Sequence, residues 1–165
     1  FMLDFKTTSY LKLILIVSLI SVIFAYFIEH ILRHQPCNLC LIERIPYGLS
    51  IILITIYFIF RKNEKFIILL LILIFIFSFS ISIYHFGIEQ GFFEESAICG
   101  LKNGANVTSK EELLKLLNEK TISCKDVTFK VFGLSLTTIN IIINIFLIIL
   151  SIRFLINYEK FKKKN

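Results

Sequence analysis

Four long apolar runs decide what this chain can become: roughly Leu11 to Ile28, Leu41 to Phe60, Phe66 to Phe86 and Leu134 to Ile156. A helix needs about 20 such residues to cross the hydrocarbon of a bilayer. With 56% hydrophobic residues and eighteen Phe, the 165 residues are too apolar for a soluble domain of that size. The expected fold is an all-α membrane protein, a four-transmembrane-helix bundle forming one integral membrane domain over residues 1–165. The first run has a basic start. The stretch Phe24-Ala25-Tyr26-Phe27-Ile28-Glu29 offers no pair of small residues for a signal-peptide cut, so the run is read as a retained helix.

The net charge of +6 raises a nucleic-acid reading, and its distribution argues against one. Lys6 and Lys12 stand at the first run, Arg61, Lys62 and Lys65 between the second and third, and Lys160, Lys162, Lys163 and Lys164 after the fourth. These places share one side of the membrane if both termini are cytoplasmic, and the positive-inside rule accounts for them. The long connection 87–133 then lies outside, as do Cys37, Cys40, Cys99 and Cys124. Outside the cytoplasm disulfides form and persist.

The reactive stretch is Pro36-Cys37-Asn38-Leu39-Cys40-Leu41-Ile42-Glu43-Arg44. A Cys-x-x-Cys pair at a helix start has one thiol favoured as thiolate by free backbone N–H groups and the helix dipole. Arg44 lies ~6 Å deeper than Cys40 at the helical rise, a permanent cation where apolar residues continue. An ionisable group within a span is a candidate functional residue by default. Glu43 is read as an interfacial polar residue. Pro46 cannot donate to the Ile42 carbonyl and predicts a kink, and Gly48 beside it is read as leaving room for a flat ring. His85, at the outer end of the third run, matches Cys40 and Arg44 in depth. Asn140 and Asn144 are four apart and predict one helix face turned into the bundle. In the outer connection, Ser109-Lys110-Glu111-Glu112 fits a capping box, with Leu113, Leu116 and Leu117 following at helical spacing. Together they predict a short amphipathic helix lying on the membrane. Four cysteines allow three pairings.

Cys37-x-x-Cys40-x-x-Glu43-Arg44 is joined by Tyr84-His85-Phe86-Gly87-Ile88-Glu89, the spaced Cys99 and Cys124, and Phe132-Gly133-Leu134-Ser135 before Asn140. In this order on four runs, they resemble the DsbB family of disulfide bond formation proteins over nearly the whole chain. The resemblance implies a membrane thiol:quinone oxidoreductase of the bacterial inner membrane, with both cysteine pairs periplasmic. Its partner is a periplasmic thioredoxin-fold thiol oxidase of the DsbA type, and its electron acceptor is ubiquinone or menaquinone from the respiratory pool. By that resemblance Cys37–Cys40 faces the quinone and Cys40 engages the ring. Arg44 holds the quinone, and His85 lies near it. Cys99 exchanges with the partner, and Cys124 is its mate. No metal and no nucleic acid is implied. Within the family, a DsbI-type relative with a dedicated partner is an alternative. A zinc or iron–sulfur centre would want a second Cys-x-x-Cys. The vitamin K epoxide reductase family carries its loop cysteines before the Cys-x-x-Cys, not after. A membrane scaffold with structural disulfides leaves Arg44 unexplained.

Overall fold

A computed structural model describes residues 2–61, 63–95, 99, 123–125, 130–131 and 133–162. Helix α1 runs Met2–His30, α2 Asn38–Phe60, α3 Glu64–Glu89 and α4 Leu136–Lys162. All four are long and apolar enough to cross a membrane, over Thr8–His30, Asn38–Phe60, Glu64–Glu89 and Leu136–Lys160. The chain is thus an all-α, four-helix membrane protein. The helices pack in a ring, α1 on α2, α2 on α3, α3 on α4 and α4 back on α1. The amphipathic helix expected over residues 109–117 lies outside the described residues.

Local chemistry sets the helix ends. Cys37 is the N-cap of α2, its sulfur accepting the Cys40 N–H at 3.4 Å. Arg61 closes α2 in the left-handed conformation, its N–H on the Tyr57 carbonyl at 2.8 Å. At the end of α3, Gly91 takes φ +78°; its N–H meets the Ile88 carbonyl and the Phe92 N–H meets the Gly87 carbonyl. This is a Schellman cap, which glycine enters without a Cβ clash. The fourth helix starts at Leu136 rather than 134 because Leu134–Ser135 (β2) pairs antiparallel with Lys130–Val131 (β1). Ser135 then caps α4, its Oγ accepting the Thr138 N–H at 3.2 Å. Helix α2 continues unbroken through the buried Pro46.

The interior has two apolar cores and a polar seam. The larger core gathers Leu11, Ile14, Tyr47, Ile54, Leu71, Phe75, Leu147 and Phe154 from all four helices. The smaller one, at the Cys37 end, holds Cys37, Leu39, Ile88, Cys99 and Cys124. Between helices run small polar groups, including Ser50 on Ser18 at 3.0 Å and Asn140 and Asn144 on Ser82 at 2.8 and 3.4 Å. Small residues let helix backbones approach, and polar pairs join them where water cannot. Both asparagines do face inward.

Candidate functional site

The site grows from the first turn of α2. Cys37 and Cys40 stand one helical turn apart with their sulfurs 3.0 Å apart, both as free thiols. Cys37 is buried in the smaller core, where Cys99 and Cys124 are bridged by a disulfide with Cα atoms 5.8 Å apart. Cys40, three residues on, is less buried and packs against the same core. It lines a cavity of about 140 Å³ between α1, α2 and α4, together with Arg44, Glu43, Tyr47, Ala25 and Asn140. Thus both thiols pack on the core that holds the loop disulfide, and Cys40 also looks into a cavity. Such a volume is close to the ~150 Å³ apolar cavity that accepts a benzene ring.

Glu95, past the end of α3, holds the strand of chain that carries Cys124. Its exposed carboxylate accepts the Ser123 hydroxyl and the Lys125 N–H, the latter at 3.0 Å. Those hydrogen bonds, Ser123 first, hold its carboxyl below the ordinary range.

Arg44 reaches the cavity already partnered. Its guanidinium donates to Glu29 at the outer end of α1 and lies over the Tyr26 ring, 5.2 Å from the centroid. Tyr26 and Glu29 are three apart and so share a face of α1. Neither was singled out by sequence reasoning as a partner of Arg44. Gly48, expected to leave room for a ring, is not in the cavity wall; Ser21 and Ala25 of α1 supply the small side chains there.

Behind the thiols lies a buried polar chain that corrects one expectation. Glu43 is not interfacial. It turns into the bundle, 7% exposed, with Oε1 3.1 Å from His85 Nδ1 and Oε2 accepting from Asn140 at 2.9 Å. Four residues on, Tyr47 donates its hydroxyl to Asn140 Oδ1. His85 matches the thiols in depth, as expected, yet it is absent from the cavity wall. Glu43 and Thr137 hold its ring from one side, and its Nε2 stands 3.5 Å from Cys37 Sγ. Hydrogen bonding to Cys40, then the His85 imidazole, brings the Cys37 thiol down to about 4 against the opposing effect of burial. Glu89 also finds a place, accepting the Thr137 hydroxyl at 2.6 Å.

A helical bundle that sets a dithiol at the head of one span, against a loop disulfide, is a membrane protein of thiol–disulfide chemistry. The chain matches the family described as "Disulfide bond formation protein DsbB" over residues 7–154. It belongs to that family, and is by membership an oxidoreductase of disulfide formation. A relative described as "Uncharacterized protein RP370", from Rickettsia prowazekii (strain Madrid E), is 30% identical over 144 residues, covering 84% of this chain and 83% of that protein. No solved structure matches the chain.

Proposed function

We propose that the chain is a thiol:quinone oxidoreductase that reoxidises a periplasmic DsbA-like dithiol protein and passes the electrons to a membrane quinone. It would sit as one domain in the bacterial inner membrane, with both termini cytoplasmic and all four cysteines periplasmic. The observation that supports this most is the position of the Cys37–Cys40 pair between a disulfide and a cavity. The pair packs on the core that holds the Cys99–Cys124 disulfide, and Cys40 opens with Arg44 onto the cavity.

The cavity suits a quinone head group in size, in its largely apolar walls and in the Arg44 guanidinium at its edge. A quinone bound there would accept two electrons and two protons. Cys99 takes the attack of the partner's thiolate, forming the mixed disulfide and releasing Cys124 as a thiolate. Cys99 and Cys124 then hand their electrons by exchange to Cys37–Cys40. The Cys40 sulfur faces the ring, and Arg44 offers charge-assisted hydrogen bonds to a ring oxygen. Glu29 shares that guanidinium, so its carboxylate competes with a ring oxygen for the same donors.

The test is anaerobic quinone reduction by the purified protein, fed with a reduced DsbA-like protein. Wild type is expected to bleach quinone, Cys40→Ala to abolish this, and Arg44→Ala to raise the quinone concentration required. If oxidised wild type leaves ubiquinone and menaquinone both untouched with a competent partner, the reading fails.

A further inference from the structure

Re-forming the Cys37–Cys40 disulfide removes two electrons and two thiol protons. Cys40 lines the cavity, so its proton leaves directly. Cys37 is buried in the smaller core, its sulfur 3.0 Å from Cys40 Sγ and 3.5 Å from His85 Nε2, a base that can take its proton.

The hydrogen bonds around His85 fix which nitrogen carries the hydrogen. Two oxygens approach Nδ1, Glu43 Oε1 at 3.1 Å and Thr137 Oγ1 at 3.4 Å. A carboxylate oxygen only accepts. The Thr137 hydroxyl spends its one hydrogen on Glu89, at 2.6 Å, and so also accepts at this contact. Nδ1 is therefore the N–H, and the Nε2 lone pair faces Cys37 Sγ at 3.5 Å. Glu43, at the far end, lines the cavity and is fixed there through Oε2 by Asn140. Apart from the direct contact with Cys40, the His85–Glu43 chain is the path among the described residues that connects the Cys37 sulfur to the cavity.

We propose that His85 and Glu43 are the proton exit for Cys37: Nε2 takes the proton from Sγ, and Nδ1 gives its own to Glu43 Oε1 at the cavity wall. This rests on the thiol:quinone reading. The balance is closed. The Cys37 S–H bond breaks and Nε2–H forms, Nδ1–H breaks and a carboxyl O–H forms, and the Cys37 sulfur bonds Cys40. The electron pair and both protons leave with the quinone as oxidant. In the reduced pair this transfer has already run, so Cys37 stands as a thiolate and its proton rests on the His85–Glu43 couple; re-forming the disulfide sends that proton on to the cavity.

Redox-difference infrared spectroscopy of the full chain in nanodiscs tests this without quinone, using a small dithiol and a small disulfide to set the two states. The expected reduced-minus-oxidised spectrum contains a protonated-carboxyl band that disappears in Glu43→Gln and in His85→Gln. In quinone turnover both variants are expected to lose about 10²-fold in kcat, the usual scale of general acid–base catalysis, with quinone KM within about twofold. Glu43→Asp, which keeps the acid, is expected to recover part of the rate and the band; this separates proton transfer from a purely structural loss. A wild-type spectrum without the band, a band that survives in Glu43→Gln, or full turnover in both Gln variants overturns the proposal. If the band behaves as expected while wild type reduces no quinone, the quinone reading falls and the proton path stands.

Discussion

The Cys37 thiol gives the sharpest quantitative prediction. An ordinary thiol ionises near 9.0, and Cys37 is brought down to about 4 by Cys40 and then His85. The thiolate is the form that alkylates, so lowering the pKa moves the ionisation step below the usual assay range. At pH 6 an ordinary thiol is about one part in a thousand thiolate and Cys37 nearly all, an advantage of about 10³. A weaker base is also a weaker nucleophile. With a Brønsted slope of about 0.4–0.5 over about five pH units, Cys37 gives back about 10²- to 300-fold. Ionisation therefore wins at pH 6, by roughly three- to tenfold, and loses above about pH 7, where the ordinary thiol catches up. Burial of Cys37 slows all these rates equally, so the shape of the profile is the test. The assay is iodoacetamide labelling of the reduced protein from pH 5.5 to 9, with Cys37 and Cys40 separated by peptide mass spectrometry. Labelling of Cys37 is expected to be flat across that range, and its foot to move to higher pH in His85→Gln. A Cys37 rate that climbs about tenfold per pH unit from 6 to 8, as an ordinary thiol's does, refutes the assignment.

Three further outcomes follow from contacts. Glu29→Gln removes the carboxylate that shares the Arg44 guanidinium, and is expected to lower the quinone KM severalfold, read in steady-state turnover; an unchanged KM means Arg44 does not meet the ring oxygen. Asn140→Leu leaves Glu43 Oε2, Tyr47 and Ser82 without this partner, and is expected to destabilise the bundle by about 1–3 kcal/mol, measured by unfolding in mixed micelles. In Gly87→Ala the new Cβ would lie 2.2 Å from a Phe93 ring carbon, displacing that ring from its stack on Tyr84. The loss is expected to be about 0.5–1.5 kcal/mol and to add nothing once Phe93 is itself Ala, as a double-mutant cycle would report.

The parts of this protein written in local sequence were legible. Apolar runs of membrane length give spans, and Cys37 with Cys40 at a run's head gives a capped dithiol. The four-residue spacing of Asn140 and Asn144 gives an inward face. What escaped depends on partners remote in the chain. Glu43 reads as an interfacial acid beside Arg44 because nothing nearby marks it otherwise. Its burial is made tolerable by His85, 42 residues away, and Asn140, 97 away. The depth of His85 was readable from where α3 ends, but not which way its ring turns; that is decided by Thr137 and Glu43 together. Arg44 was legible as a cation in an apolar run, while its partner Glu29 and the Tyr26 ring sit on another helix. The delayed start of α4 follows from a two-residue strand pair too short to leave a period in the sequence.

The seam of small polar groups down the middle of the bundle also bears on how such a chain can change over time. At most about a third of the residues in any span are buried by the rest of the protein. Ser18, Ser50, Ser82, Asn144 and Ser151 are among the fully enclosed ones, while Ile52, Ile59, Phe60, Phe66, Leu73 and Phe77 face outward. Against lipid, one bulky apolar side chain serves nearly as well as another, because no shape-matched neighbour is there to object. The outward positions can therefore drift with the nucleotide bias of a genome, and the abundance of Ile and Phe here needs no selective cause. The specification of the fold is concentrated in the seam and the thiol site, a small vocabulary inside a permissive coat. Relatives can then diverge over most of their length and still be the same machine.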